Sequence, residues 1–182
     1  MKNLYIHLAE GFEEIEAVTI IDVLRRAGLN VISVSLTANR IVKGSHNIEI
    51  KADLLFADVD YSKGTMIILP GGMPGSKNLN EHEGLKRQII DYQNKGLYLA
   101  AICAAPIVLG GLGILKGKRA VCYPGYEAHL IGANVQSDPY MVDNNIITGR
   151  GVGAALLFSL EIVRILKSEE SALELSRAML VE

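Results

Sequence analysis

Short apolar runs alternate with helix-like stretches along the whole chain. Four runs are apolar without a period of two, which is typical of strands buried on both faces of a sheet: residues 4–8, 31–36, 66–69 and 97–102. Helical spacing predicts helices over residues 13–27, 83–95, 154–167 and 169–180, the last capped by Ser168. The pattern therefore predicts an α/β fold with a mostly parallel sheet and helices on both faces.

Two further segments have the pattern of β-hairpins. Residues 39–51 have the pattern of a small hairpin. Residues 140–148, with Asp143-Asn144-Asn145 in the middle, have the pattern of a second hairpin or of a turn leading into an edge strand. We find no linker, low-complexity tract or internal repeat, and 182 residues suit one domain. We therefore treat residues 1–182 as a single domain, whose ligands should bind beyond the carboxyl ends of the strands.

Composition narrows the functional classes. Apolar residues make up 49% of the chain, while 18 Lys and Arg nearly balance 20 Asp and Glu, so no basic field favours a nucleic-acid partner. Two cysteines without a CxxC pair indicate neither a disulfide scaffold nor a metal site. The chain lacks a signal-peptide pattern, and its apolar run at 97–109 is broken by Pro106. We expect a cytoplasmic protein without a membrane partner.

Cys103 stands where a predicted strand meets a predicted helix. Pro106 is tolerated only in the first turn of a helix, and Ala101 and Ala105 supply the small side chains that a nucleophile elbow requires. A helix N-terminus also favours the thiolate. The alternative is that Cys103 is a small buried hydrophobic residue, as free cysteines commonly are.

Two more strand ends supply candidate groups. The segment Pro70-Gly71-Gly72 follows a buried strand, and its amides either stabilise an oxyanion or form a simple turn. At the start of the first predicted helix, Glu16 lies near an apolar stripe of Ile15, Val18 and Thr19. A buried Glu16 would keep its proton and donate a hydrogen bond to a thiolate. The alternative is a solvated acidic face at the positive end of the helix dipole.

Taken together, these segments resemble the ThiJ/PfpI family, in the branch that includes the Parkinson-disease protein deglycase. The resemblance covers essentially the whole chain and rests on five motifs in family order: residues 9–16, 24–28, 69–72, 100–106 and 147–151. It implies a three-layer flavodoxin-like sandwich, related to class I glutamine amidotransferases, and a homodimer. It also implies that Cys103 is the nucleophile, that Glu16 is the carboxyl beside it, and that Gly71, Gly72 and Ala104 form the anion pocket. Thiolate and carboxyl would then titrate as a pair, with the proton retained on the acid.

Several positions depart from the family pattern. Ala104 replaces the histidine that follows the cysteine in protease-like and chaperone-like members, which weakens a peptidase interpretation. Tyr123 replaces a histidine, Val152 replaces a proline, and His46 replaces an arginine that reaches the partner subunit's site. Anion binding at the dimer seam would then be weaker, or pH-dependent through His46.

Other residues enter as auxiliary candidates. Arg26 lies in one of the shared motifs. His129 lies six residues after Tyr123, so it either approaches the sulfur or has no role there. Cys122 is either a buried bystander or a thiol that resolves oxidised Cys103.

The resemblance implies a cysteine-dependent enzyme without cofactor or metal. Its substrates would be small α-oxoaldehydes or their early adducts on glycated proteins, which it would convert to 2-hydroxy acids. The alternative is a redox sensor or chaperone-like protein that uses the oxidation of Cys103 without turnover.

Overall fold

A seven-stranded sheet lies between two layers of helices in the computed structural model, which describes residues 2–181. The strands are β1 (Asn3–Leu8), β2 (Asn30–Ser35), β3 (Ile41–Lys43), β4 (Glu49–Lys51), β5 (Leu54–Leu55), β6 (Gly64–Leu69), β7 (Tyr98–Ile102), β8 (Arg119–Ala120), β9 (Asn134–Val135), β10 (Tyr140–Asp143) and β11 (Ile146–Gly149). The helices are α1 (Glu14–Arg26), α2 (Gly75–Glu81), α3 (Glu83–Asn94), α4 (Pro106–Gly111), α5 (Ala155–Leu166) and α6 (Glu169–Ala178).

The main sheet has the order β10-β11-β7-β6-β1-β2-β5, and β10 is the only antiparallel strand within it. The flavodoxin-like α/β sandwich predicted from the sequence is confirmed. Both hairpins are also present, β3–β4 as a separate ribbon and β10–β11 at the sheet edge. Helix α2 and the two-residue strands β5 and β9 have too few residues to show a period, and the sequence did not predict them.

Each face of the sheet carries its own apolar core. Helices α1, α5 and α6 pack on one face, around Ile20, Leu24 and Phe158. Helices α2, α3 and α4 pack on the other, around Ile89, Tyr92 and Leu109. This three-layer arrangement explains why the central strands are apolar on both sides, as the sequence indicated.

The buried side of α1 differs from the expected one. Ile15 and Val18 are 57% and 49% exposed, whereas Glu16, Ala17 and Ile20 are fully buried. The predicted apolar stripe therefore lies on the surface, and Glu16 belongs to the core side of the helix. Spacing alone could not separate the two faces, because α1 carries apolar residues on both of them.

Strand register brings four strand ends to one edge of the sheet. Leu69 at the end of β6 pairs with Ala101 of β7, and Ile102 pairs with Gly149 of β11. The segments that follow β6, β7 and β11 therefore emerge side by side, next to the loop between β1 and α1. Among residues 2–181, none of the helices combines the length and apolar character that crossing a bilayer requires.

Candidate active site

Cys103 lies on a sharp turn between β7 and α4, as the sequence predicted. Its backbone has φ 64°, a left-handed conformation that costs a non-glycine residue about 1–2 kcal/mol. Two hydrogen bonds hold the turn: the Cys103 amide donates to the Gly149 carbonyl at 2.9 Å, and the Cys103 carbonyl accepts from the Tyr123 amide at 2.8 Å. The side chain is half-buried. The strain is thus sustained by neighbouring segments, which is typical of a functional elbow.

Gly71 lets the segments of the site approach one another. A Cβ on Gly71 would lie 2.5 Å from the Cys103 Cβ and 2.8 Å from Glu16 Oε2. Any larger residue would therefore separate the thiol from the carboxyl. The Gly71 amide donates to Glu16 Oε2 at 2.8 Å, so it is not free for an anion, contrary to the expectation from the family resemblance.

Glu16 is fully buried on the core side of α1. Burial raises its pKa to about 7, although the Gly71 amide and the Cys103 thiol both act to lower it. Its second oxygen, Oε1, has no hydrogen-bond partner within residues 2–181. The solvated-face alternative is wrong for this residue, and a carboxyl that titrates near neutrality can exchange a proton at physiological pH.

The electrostatics of Cys103 differ from the expected thiolate. Burial and the negative charge of Glu16 raise the pKa of the thiol to about 12, while the amides of Gly72 and Ala104 act to lower it. The dipole of a helix as short as α4, with six residues, does not lower the thiol pKa enough to outweigh burial and the charge of Glu16. While Glu16 is ionised, the proton of the pair therefore stays on sulfur, not on the acid. Protonation of Glu16 removes the opposing charge and leaves the two amides facing the sulfur.

A cavity of about 460 Å³ adjoins the elbow. Tyr123, Arg150, Val152 and Leu157 contribute to its lining. Gly151 connects it to the thiol, because a Cβ there would lie 3.2 Å from the Tyr123 ring and 4.0 Å from Cys103 Sγ. Tyr123 is thus the auxiliary candidate that the fold brings to the site.

The other auxiliary candidates lie elsewhere. Arg26 pairs with Asp22 at 2.6 Å at the far end of α1. His46 lies against Glu14, with 2.8 Å between Nδ1 and Oε2. The ring of His129 lies beside that of Tyr126, tilted by 40° with 6.2 Å between centroids, and it makes no hydrogen bond to Cys103 in the described part of the chain.

Cys122 packs in the core beneath α3 and α4, whereas Cys103 packs against the core on the other face of the sheet. Burial raises the pKa of the Cys122 thiol to about 11. These features favour the bystander interpretation over a resolving thiol.

Three residues that build the site were not predicted from the sequence. Thr148 is buried on β11, and its hydroxyl accepts from the Val121 amide at 3.0 Å, which fixes the segment that carries Tyr123. Arg150 and Gly151 line the cavity. All three lie within the shared motif at 147–151, so that motif was the signal that could have identified them.

Comparisons with known proteins extend over the same segments. The sequence profile of the DJ-1/PfpI family matches residues 2–165. Protein dj-1beta of Drosophila melanogaster is 35% identical over 182 residues, which covers 99% of this chain and 97% of that protein. Protein DJ-1 homolog B of Arabidopsis thaliana is 37% identical over 177 residues, which covers 96% of this chain and 40% of that protein. The chain thus spans less than half the length of the Arabidopsis relative.

Solved structures resemble this one closely. The crystal structure of Drosophila DJ-1beta has a TM-score of 0.94 at 35% identity, covering 100% of this chain and 98% of that one. A structure of oxidized Toxoplasma gondii DJ-1 also has a TM-score of 0.94, at 34% identity, and covers 99% of this chain and 98% of that one. The similarity therefore includes every element that positions Cys103.

Proposed function

The chain belongs to the DJ-1/PfpI family, and on that premise we propose that it is a cysteine-dependent enzyme acting on α-oxoaldehydes or their early protein adducts. The single observation that carries this proposal is the elbow itself: Cys103 at φ 64° beside a buried carboxyl whose pKa is raised to about 7. A nucleophile and a base tuned to neutral pH are the two groups that addition to an aldehyde requires.

The first step is formation of the carbon–sulfur bond. Ionised Glu16 accepts the proton of the Cys103 thiol, and the sulfur adds to the aldehyde carbon to give a hemithioacetal. Negative charge develops on the former aldehyde oxygen. The amides of Gly72 and Ala104, which face the sulfur, donate to that oxygen.

The second step is an internal redox rearrangement. Glu16 first returns its proton to the former aldehyde oxygen, and is then free to move the proton of the former aldehyde carbon to the neighbouring carbonyl carbon. The hydroxyl proton passes to the neighbouring oxygen, so the first carbon is oxidised to a thioester and the second is reduced to an alcohol. Water then cleaves the thioester, which releases a 2-hydroxy acid and restores the thiol. No external oxidant or reductant is consumed, so the chemistry balances without a cofactor.

The cavity supports substrates larger than the free aldehydes. Its volume of about 460 Å³ lies within the range of sites that hold drug-sized ligands, and it offers Tyr123 for packing and Arg150 for an anionic group. An adduct carried on an amino-acid side chain would place its aldehyde-derived carbons at Cys103 and its remaining atoms in the cavity. Its carbon–nitrogen bond would break as the carbon–sulfur bond forms, which releases the free amine and gives the same hemithioacetal.

Turnover of methylglyoxal, and of a methylglyoxal-modified peptide, tests the proposal. We expect product with the wild type, a loss of at least about a hundredfold in Cys103→Ala and Glu16→Gln, and near-wild-type turnover in the control Cys122→Ala. Absence of turnover by the wild type, or activity retained in Cys103→Ala, would contradict the enzyme proposal.

A second candidate function, redox sensing, rests on the exposure of part of Cys103 and on the two amides facing its sulfur. One peroxide would convert the thiol to a sulfenic acid with release of water, and a second would give the sulfinic acid. Stoichiometric peroxide modification confined to Cys103, in a protein without turnover, would favour this function.

We also propose that the chain forms a homodimer, as the family resemblance implies. An apolar patch of Ile15, Val18, Val152 and Leu157 is exposed on α1, on α5 and on the turn that precedes α5, with the four residues between 38% and 57% exposed. An exposed apolar patch of this kind is typical of a protein–protein interface.

A further inference from the structure

Two buried carboxylates and an imidazole meet at the start of α1, beyond the site described above. One ligand atom from each of Glu13, Glu14 and His46 lies within 4.8 Å of the other two. His46 Nδ1 is 2.8 Å from Glu14 Oε2 and 3.6 Å from Glu13 Oε2. No metal ligands were expected from the sequence, since 32 positions separate Glu14 from His46 and only the fold brings them together.

Burial distinguishes this cluster from ordinary surface acids. The side chains of Glu13 and Glu14 are 7% and 5% exposed, whereas His46 is 71% exposed and closes the cluster from the solvent side. Glu13 Oε1 accepts from the Ile15 amide, but Oε2 has no hydrogen-bond donor within residues 2–181. Glu13 Oε2 lies 3.6 Å from the imidazole nitrogen, so its lone pairs remain available to a cation placed between the two side chains.

Backbone contacts hold the ligands in place. The Gly11 amide donates to the Lys43 carbonyl at 2.8 Å, and the Ser45 amide donates to the Phe12 carbonyl at 2.9 Å, so the hairpin is fastened to the loop before α1. Glu14 Oε1 accepts from the His46 amide at 2.6 Å, which leaves Oε2 directed at the imidazole. The geometry is therefore preorganised, which reduces the entropy that ligand binding must overcome.

The donor separations suit a transition metal. Metal–ligand bonds of about 2.1 Å place neighbouring donors roughly 3.0 Å apart in an octahedral site and roughly 3.4 Å apart in a tetrahedral one. The separations of 2.8 and 3.6 Å bracket those values, so small side-chain rotations would admit an ion. The two carboxylates together carry a charge of −2, which neutralises a divalent cation, and the imidazole adds a neutral ligand.

We propose that Glu13, Glu14 and His46 form a binding site for a divalent transition metal of the Zn²⁺ class, joining the hairpin to the start of α1. The imidazole nitrogen selects against Mg²⁺ and Ca²⁺, which prefer oxygen ligands alone. The Ser45 hydroxyl, 3.2 Å from Glu14 Oε2, donates to that ligand and orients it. Any proton on Nδ1 is released when the metal binds. This site is independent of the proposed function.

Calorimetric titration with Zn²⁺ tests the site, in a Cys103→Ala/Cys122→Ala background that removes thiol binding. We expect one Zn²⁺ per chain, with affinity at least about tenfold weaker in His46→Gln and in Glu13→Gln. The matched control His129→Gln removes another exposed histidine and should leave binding unchanged. Excess Mg²⁺ should not displace the metal.

A second measurement needs no substitution at the site. In NMR spectra of the same background protein, Zn²⁺ should shift the ring resonances of His46 and leave those of His129 in place. Absence of saturable binding, equal affinity in His46→Gln, or a shift confined to His129 would overturn the proposal. Circular dichroism of each variant verifies that the fold is retained.

Discussion

At the scale of single residues, the buried carboxyl of Glu16 links the chemistry of the site to the stability of the fold. Its pKa is raised from an ordinary 4.5 to about 7 by burial. A carboxyl shifted upward stabilises the native state at low pH. That contribution is present below pH 4.5 and is lost as the pH rises through about 7, because the folded protein must then bury a negative charge.

Replacing Glu16 by Gln should therefore raise stability at alkaline pH. We expect Glu16→Gln to increase the free energy of unfolding by up to about 3 kcal/mol at pH 8, since the shift of the pKa corresponds to that amount. At pH 4 the two proteins should differ little. Urea unfolding at both pH values measures the effect.

The exposed Glu10 provides the matched control. Glu10→Gln should leave stability within about 0.5 kcal/mol of the wild type at both pH values. Equal stabilities of wild type and Glu16→Gln at pH 8 would mean that Glu16 ionises in the native state without penalty, contrary to the burial argument.

At the scale of elements, β11 supports the elbow through a single buried hydroxyl. The Thr148 hydroxyl accepts a hydrogen bond from the Val121 amide at 3.0 Å. Two residues later, the Tyr123 amide donates a hydrogen bond to the Cys103 carbonyl at 2.8 Å. The segment after β8 is thus fixed to the sheet on one side and to the nucleophile on the other.

Removing that hydroxyl should weaken both the fold and the site. Thr148→Val leaves the buried Val121 amide without an acceptor, which costs about 1–3 kcal/mol in the free energy of unfolding. Thr148→Ser keeps the hydroxyl, so it should retain the hydrogen bond and lose less of the free energy of unfolding than Thr148→Val. Chemical unfolding compares the two variants, and a Ser variant as unstable as the Val variant would contradict this role.

The sequence was sufficient to predict those elements whose pattern is local. Apolar runs without a period of two identified β1, β2, β6 and β7, and Pro106 with its small neighbours identified the elbow at Cys103. The prediction of the buried face of α1 was wrong, because the fold leaves Ile15 and Val18 at the surface. Spacing along one helix does not show which of two apolar faces the sheet will cover.

The site could be predicted only as far as its members, not their contacts. Family resemblance united Cys103, Glu16 and Gly72, and the fold brings them together. The resemblance did not indicate that the Gly71 amide donates a hydrogen bond to Glu16, or that His46 lies within hydrogen-bond distance of Glu14. Those contacts depend on where the hairpin and the loop after β6 settle on α1, which no local pattern records.

At the scale of the whole molecule, the exposed patch of Ile15, Val18, Val152 and Leu157 predicts self-association. We expect the wild type to sediment as a dimer and Val18→Lys to shift toward the monomer, because a buried lysine at the interface lacks a partner. Analytical ultracentrifugation at micromolar concentration measures the shift.

Ile131 offers the control, since it is 62% exposed and lies apart from the patch. Ile131→Lys should leave the sedimentation coefficient unchanged. A monomeric wild type, or equal dissociation by both substitutions, would contradict an interface at α1 and α5.

The pH dependence of Cys103 alkylation tests the central claim most directly, namely that Glu16, once ionised near neutrality, accepts the proton of the Cys103 thiol as the sulfur attacks. In a Cys122→Ala background, the iodoacetamide rate at Cys103 should rise with a midpoint near pH 7, the pKa of Glu16. Glu16→Gln should move that midpoint upward by at least about one pH unit. A midpoint near the ~8.5 of a free thiol in both proteins would contradict the account.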